Sequence, residues 1–239
     1  MISQQQDAAV TIDQAAAPIA RLLLAHGAGA PMDSDFMRQL ALELSSQGIE
    51  VWRFNFAYMA KSVAGKKQPP SKVATLMQEM ATLLATLPGD LPLFIGGKSM
   101  GGRVATLLAA SPELMTANEQ QSADKELMKV QGVLAFGYPF CPPAKKQLGI
   151  GPRTAHFSRL QSSLLIVQGD RDTFGKPEEL ADQQWPQVQI HWLVGGDHDL
   201  KTLKRHAVTQ AQLIAQAAVA AATFIRLQLD AKPAVKTFE

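Results

Sequence analysis

A chain of 239 residues that is 46% hydrophobic and 18% charged can bury a large core, which excludes an intrinsically disordered protein. Its formal net charge of +2 is too small to indicate nucleic acid or an anionic membrane as the main partner. The single cysteine, Cys141, cannot form an intrachain disulfide, so the composition does not require an oxidising compartment.

Neither a targeting segment nor a membrane span is predicted. The first residues, MISQQQDAAVTIDQ, lack the basic region and apolar core of a signal peptide. The most apolar stretch, VTQAQLIAQAAVAAATFIRLQL, is interrupted by glutamines and by Arg226. Its apolar residues share one helical face, which predicts an amphipathic helix packed on a sheet. We therefore expect a soluble protein located in the cytoplasm, with no membrane partner.

Short apolar runs alternate with helical patterns along the chain. In order, they predict strand 22–25, helix 35–47, strand 51–54, helix 73–86, strand 93–95, helix 102–110, strands 133–136 and 164–167, helix 177–184, strand 190–193 and helix 205–228. This order predicts an α/β fold, with a mostly parallel sheet of about six or more strands covered by helices on both faces.

Loops and domain bounds follow from composition. The Pro- and Gly-containing segments 59–72 and 137–153 are predicted to be loops. No shift in composition indicates a second domain. We therefore assign an N-terminal extension (1–19), one domain (20–229) and a C-terminal tail (230–239).

The segment 96–102, GGKSMGG, is compatible in part with two motifs. A phosphate-binding P-loop needs a glycine five residues before Gly97, but Pro92 occupies that position and a strand pattern follows it, which excludes the P-loop. The alternative is G-x-S-x-G at the end of a strand and the start of a helix. That turn presents a nucleophilic serine, so Ser99 is the candidate nucleophile.

A serine nucleophile needs a base and an acid that orients it, in the chain order serine, acid, histidine. GDRD follows the fifth predicted strand and GGDHD the sixth. We favour Asp172 over Asp170 as the acid, because Asp170 lies where the strand has barely ended. His198 is the candidate base, since His191 lies within a predicted strand and His206 begins the last predicted helix.

An oxyanion hole needs two backbone N–H donors. The first candidate is Met100, the residue after the nucleophile, and the second is Ala28, in the loop that follows the first predicted strand. His26 precedes Ala28 in the sequence LLLAHGAGA and is expected to pack this loop rather than to take part in catalysis.

Six motifs in chain order, HGAGAPMDS, RFNF, GGKSMGGRVA, GYPF, VQGDRDTFG and GGDHD, resemble those of small α/β-hydrolases related to dienelactone hydrolase. More narrowly, they resemble a branch that includes a testis-expressed hydrolase-like protein and a subunit of a chromatin acetylation complex. The resemblance covers roughly residues 20–226. It implies an α/β-hydrolase fold, a triad of Ser99, Asp172 and His198, and no metal or organic cofactor. It implies no particular substrate, and it leaves a scaffold role open.

Three further residues are candidates for a substrate pocket. Lys98 either points to an anionic substrate group or faces away, as the residue before the nucleophile often does. Tyr138 either contacts substrate or forms an apolar wall, and His156 either lines the pocket or is a hydrogen-bonded structural residue. The lysines of the two predicted loops either form a rim that attracts anionic substrates or are simply solvated.

The remaining candidates point away from metal and thiol chemistry. Asp197 and Asp199 flank His198, but no second histidine or carboxylate stands at ligand spacing, so no metal site is predicted. Cys141 has no neighbouring base in the sequence and is expected to be buried or incidental. Only about 25 residues separate the fourth and fifth predicted strands, which predicts a minimal lid and an open, shallow site.

The sequence therefore predicts a serine hydrolase that cleaves a small-molecule ester or thioester. Carboxylesterase activity is expected first, and thioesterase or amidase activity second. The alternative is a non-catalytic scaffold on the same fold, because fold alone does not determine function. We expect a monomer or a homodimer that has no nucleic-acid partner.

Overall fold

The computed structural model describes residues 10–116 and 130–231. The strands are β1 Val10–Asp13, β2 Ala20–Ala25, β3 Ile49–Phe54, β4 Leu93–Lys98, β5 Val130–Phe136, β6 Ser163–Gly169 and β7 Val188–Leu193. They form one sheet in the order β1-β3-β2-β4-β5-β6-β7. Only β1 is antiparallel to its neighbour; the other pairs are parallel.

Helices lie between the strands and after the last of them. They are α1 Asp35–Ser46, α2 Ala57–Val63, α3 Val73–Leu84, α4 Met100–Ala109, α5 Pro112–Thr116, α6 Gly151–Thr154, α7 Pro177–Leu180 and α8 Gln210–Asp230. Two 3₁₀ turns, Pro143–Leu148 and Phe157–Arg159, lie between β5 and β6.

The predicted mostly parallel α/β sheet is confirmed. All six predicted strands are present, and each is longer than its apolar run. The sequence prediction missed β1, which lies within the segment assigned as an extension. Its four residues are mostly half-buried at the sheet edge, so their pattern is weak. The Arg53 guanidinium donates a hydrogen bond of 2.7 Å to the Asp13 carboxylate and ties β1 to β3.

Four helix and loop assignments were wrong in part. The predicted loop 59–72 begins inside α2, and the predicted loop 137–153 contains a 3₁₀ turn and most of α6. The predicted helix 177–184 ends at Leu180. The last helix starts at Gln210 rather than at 205, because the Thr209 side chain caps it by accepting a hydrogen bond from the Gln212 N–H. His206 therefore lies in a turn before α8.

The core has two halves, one on each face of the sheet. On one face, α3 and α4 bury side chains that include Leu76, Met80 and Val104. On the other face, α1 and α8 bury side chains that include Leu40 and Ile214. Helices that cover both faces leave the carboxyl ends of the parallel strands as the open edge where loops can form a site.

Helix α8 is long and apolar enough to cross a membrane by length and composition alone. Its apolar face, however, is buried against α1, β5 and β6, and includes Ala217, Ala221 and Ile225. The predicted amphipathic helix against the sheet is therefore confirmed.

Candidate active site

Ser99 lies at the tight turn between β4 and α4. Its backbone has φ 51° and ψ −112°, a left-handed conformation that a serine adopts only when the surroundings enforce it. The neighbouring glycines make the turn possible. A Cβ on Gly97 or Gly101 would lie 2.6 Å from the Ala25 carbonyl oxygen, and one on Gly102 would lie 2.8 Å from that of Gly97. Residues 96–102 thus form the predicted strand-to-helix turn.

The structure brings together the three side chains predicted as a triad. His198 Nε2 lies 2.8 Å from Ser99 Oγ, and His198 Nδ1 lies 2.8 Å from Asp172 Oδ2. Asp172 is fully buried, whereas Ser99 and His198 are partly exposed. Ser99 and His198 are therefore partly accessible to solvent, and the carboxylate behind the imidazole is not.

Two further donors hold the Asp172 carboxylate. The Gln168 side chain donates to Oδ2 at 2.7 Å, and the Phe174 N–H donates to Oδ1 at 2.8 Å. The Phe174 ring lies 4.3 Å from the His198 ring, centroid to centroid. Sequence reasoning did not identify Gln168, although a polar residue inside the apolar strand LLIVQ was a usable signal.

Asp170, the less favoured acid, has a different role. Its carboxylate accepts a hydrogen bond of 2.7 Å from the Gly195 N–H, at the start of the loop that carries His198. Asp170 therefore braces that loop, and the structure places Asp172 rather than Asp170 at the imidazole.

The predicted oxyanion donors lie in two segments next to Ser99, the first turn of α4 and the loop after β2. The Met100 N–H belongs to the first turn of α4, where backbone N–H groups have no acceptor within the helix. The loop that carries Ala28 passes close to the nucleophile, since a Cβ on Gly27 would lie 3.7 Å from Ser99 Cβ. The Tyr58 hydroxyl donates to the Ala28 carbonyl at 3.0 Å and fixes this loop.

His26 packs the same loop, as the sequence predicts. It is fully buried, and its Nε2 accepts a hydrogen bond of 3.1 Å from the Phe56 N–H. Nδ1 is therefore the protonated nitrogen, and it donates to the Gly27 carbonyl at 2.6 Å. Burial lowers the pKa of His26, which keeps the imidazole neutral.

The polar groups of the three pocket candidates all have hydrogen-bond partners within the protein. The Lys98 side chain is buried, and its ammonium donates to the His198 carbonyl at 2.8 Å. Tyr138 is fully buried, and its hydroxyl donates to the Arg153 carbonyl at 2.6 Å. Burial raises the pKa of Tyr138 to about 12. Tyr138 therefore does not present its hydroxyl to a substrate.

His156 is a structural residue. It is 5% exposed, and its Nε2 lies 2.9 Å from the Thr106 hydroxyl. Burial, helped by the nearby Arg103 and Arg159, lowers the pKa of His156 to about 4. The alternative that it lines the pocket was wrong.

The segment between β5 and β6 forms no separate cap. It consists of two 3₁₀ turns and the single turn of α6, in keeping with the predicted minimal lid. Cys141 in this segment is buried, and its thiol lies 3.3 Å from the Lys145 carbonyl. Lys146 pairs with Glu179 instead of standing free at the rim. Within residues 10–116 and 130–231, no cluster of three metal-ligating side chains occurs.

Comparison with known proteins identifies the family. A family described as "Alpha/beta hydrolase domain" matches residues 18–226. The chain belongs to this alpha/beta hydrolase family. No curated protein matches the sequence. The narrower branch indicated by the sequence motifs stays a prediction.

Solved structures share the fold at low identity. Est1E from Butyrivibrio proteoclasticus, solved with ferulic acid, has a TM-score of 0.63 at 13% identity and covers 93% of this chain and 95% of its own. Dienelactone hydrolase from Anabaena variabilis has a TM-score of 0.62 at 18% identity, covering 91% and 90%. A lidless α/β serine hydrolase from Xanthomonas campestris has a TM-score of 0.52 at 16% identity, covering 94% and 90%.

Proposed function

We propose that this α/β hydrolase is a serine hydrolase that cleaves small esters or thioesters through an acyl-enzyme on Ser99. The observation that supports this best is the pair of 2.8 Å contacts that joins Ser99 Oγ to His198 and His198 to the buried Asp172. A serine hydroxyl becomes a useful nucleophile only with such a base, and the base needs an orienting group.

In the proposed acylation, Ser99 Oγ attacks the substrate carbonyl carbon while His198 Nε2 takes the hydroxyl proton. Asp172 accepts the hydrogen bond from Nδ1–H and balances the imidazolium that forms. The bond between the carbonyl carbon and the leaving oxygen or sulfur then breaks. His198 returns its proton to that leaving group, and the acyl group stays on Ser99.

In the proposed deacylation, His198 activates a water molecule that attacks the acyl-enzyme and releases the acid. The N–H groups of Met100 and Ala28 donate to the oxyanion in both steps. Their alignment depends on the tight turn at Ser99 and on the Tyr58 hydrogen bond to the Ala28 carbonyl. The proposed reaction needs no metal or organic cofactor.

The absence of a separate cap between β5 and β6 favours small or soluble acyl substrates over long triglycerides. The His198 side chain is 22% exposed, which agrees with an open cleft. We therefore propose carboxylesterase-like activity (EC 3.1.1) first, and thioesterase or amidase activity second, in a cytoplasmic monomer or homodimer of the branch named above.

Steady-state kinetics test this function with p-nitrophenyl acetate, butyrate and laurate and with matched thioesters. We expect wild-type turnover of the short esters and a drop of about 10⁴-fold or more in Ser99→Ala and His198→Ala. His191→Ala is the matched control, because His191 is exposed on β7, and it should retain activity. Undiminished hydrolysis by Ser99→Ala would contradict the proposal. A folded wild type that is inert on the whole panel would favour a scaffold.

A further inference from the structure

Lys98 is a buried cation directly beside the nucleophile. It ends β4, and its side chain is only 8% exposed. Its stem passes Gly27, and its ammonium lies 5.4 Å from the centroid of the Phe36 ring. Burial lowers the pKa of Lys98, while the carboxylates of Asp199 and Asp172 raise it. A buried ammonium is unfavourable unless it is hydrogen-bonded and paired, so its partners indicate its role.

The main partner of the Lys98 ammonium is the backbone of the candidate base. Nζ donates to the His198 carbonyl oxygen at 2.8 Å and lies 3.3 Å from Asp199 Oδ1. Two separate contacts therefore join the turn that carries Ser99 to the loop that carries His198. In the first contact, the Ser99 hydroxyl meets the His198 imidazole. In the second, the Lys98 ammonium donates to the His198 carbonyl oxygen.

Hydrogen bonds hold the loop around His198 on both sides of that residue. Asp197 Oδ1 accepts hydrogen bonds from the N–H groups of Asp199 and Lys201. Leu200 follows with φ 60°, a left-handed conformation that is strained for a leucine. Asp172 contacts the imidazole ring of His198, whereas the carbonyl oxygen of His198 accepts a hydrogen bond from Lys98. Lys98 therefore ties the main chain of His198 to the end of β4.

Building on the hydrolase function proposed above, we propose that Lys98 is a positioning residue for His198. Its ammonium fixes the His198 main chain so that Nε2 stays within hydrogen-bond distance of Ser99 Oγ. The side chain does not touch the reacting atoms, so its removal should lower kcat and leave KM unchanged. A displacement of about 1 Å at such a site can lower the rate by about 100-fold.

Lys98→Met and Lys98→Ala test this inference, with Lys201→Met as the matched control. Lys201 Nζ lies 3.8 Å from the same Asp199 carboxylate, but its side chain is 62% exposed. We expect kcat on a short ester to fall about 10- to 100-fold in both Lys98 variants. Lys201→Met should stay within about twofold, since an exposed ion pair contributes little. Propylammonium should restore turnover to Lys98→Ala, whereas propanol should not.

A readout that does not need turnover separates this inference from the proposed function. The Nδ1 proton of His198 in the hydrogen bond to Asp172 is observable by NMR, and the Ser99 contact can be followed by the Nε2 chemical shift. We expect the Nε2 signal to change in Lys98→Met and to return in Lys98→Ala with propylammonium, even if the wild type hydrolyses nothing. Wild-type kcat and an unchanged Nε2 signal in folded Lys98→Met would overturn the inference. The inference would also be overturned if Lys98→Met failed to fold and Lys98→Ala stayed unfolded in propylammonium, because Lys98 would then be purely structural.

Discussion

The backbone of Ser99 allows a stability prediction in which glycine is favoured over alanine. At φ 51° and ψ −112°, the residue is in a region that glycine enters freely and other residues enter at a cost of about 1–3 kcal/mol. Ser99→Ala removes the hydroxyl and keeps this strain, whereas Ser99→Gly removes both. Both variants lose the nucleophile, so the difference between their free energies of unfolding reports on the backbone rather than on the hydroxyl.

The expected difference follows from two opposing effects. Relief of strain stabilises Ser99→Gly by about 1–3 kcal/mol, and the greater freedom of glycine in the unfolded chain opposes it by about 0.5–1 kcal/mol. We therefore expect Ser99→Gly to be more stable than Ser99→Ala by about 1–2 kcal/mol. For a chain of this size, that corresponds to a Tm higher by about 2–8 °C.

Thermal and urea unfolding of the two variants measure this difference. The same pair of substitutions at Leu42, an exposed position in the interior of α1, is the control, because a helix interior should make Gly less stable than Ala by about 1 kcal/mol. A Ser99→Gly variant that melts at or below Ser99→Ala would refute the argument that the turn is strained.

Three further predictions test the surroundings of the site. Gln168→Leu removes a donor to the buried Asp172 and should cost about 1–3 kcal/mol of stability and lower kcat. His156, with a pKa of about 4, contributes stability above pH 6.5 that is lost as pH falls towards 4. His156→Gln should therefore lose less stability than the wild type between pH 6.5 and 4, with a difference of at most about 3 kcal/mol. Gly101→Ala forces a Cβ against main-chain oxygens and should lower Tm, whereas Gly29→Ala meets open space and should not.

Each of these predictions has an outcome that contradicts it. For Gln168→Leu, wild-type Tm and kcat would mean that the carboxylate of Asp172 does not depend on that amide. For His156→Gln, denaturant unfolding between pH 4 and 7 gives the free energy of unfolding as a function of pH. Below about pH 6.5 this free energy should fall less steeply in the variant than in the wild type, and equal slopes would refute the argument. Equal Tm values for the two alanine variants would show that the close approach at Gly101 is not enforced.

The sheet and the triad positions could be predicted because short-range signals determine them. The turn at Ser99 depends on glycines adjacent in sequence, and the loops with Asp172 and His198 each follow an apolar strand. In a parallel sheet, the carboxyl ends of neighbouring strands meet at one edge, so chain order alone places these loops together. The structure has Ser99, His198 and Asp172 in hydrogen-bonding contact.

The direction of individual side chains could not be predicted in the same way. Tyr138 and His156 were candidates for the substrate pocket, but the structure buries both rings. Lys98 reaches the carbonyl of a residue 100 positions away, a contact that sequence spacing cannot indicate. Strand β1 was missed because it has only four residues at the sheet edge, three of them half-buried and one exposed, so its pattern is weak.

The most direct test of the central claim is labelling of the folded wild-type protein by a fluorophosphonate probe, with peptide mapping and a His198→Ala control. We expect the label on Ser99 in the wild type and its loss in the control, because the hydroxyl needs the imidazole to react. A folded wild type that takes no label, or a His198→Ala variant that labels as fast as the wild type, would contradict an activated Ser99.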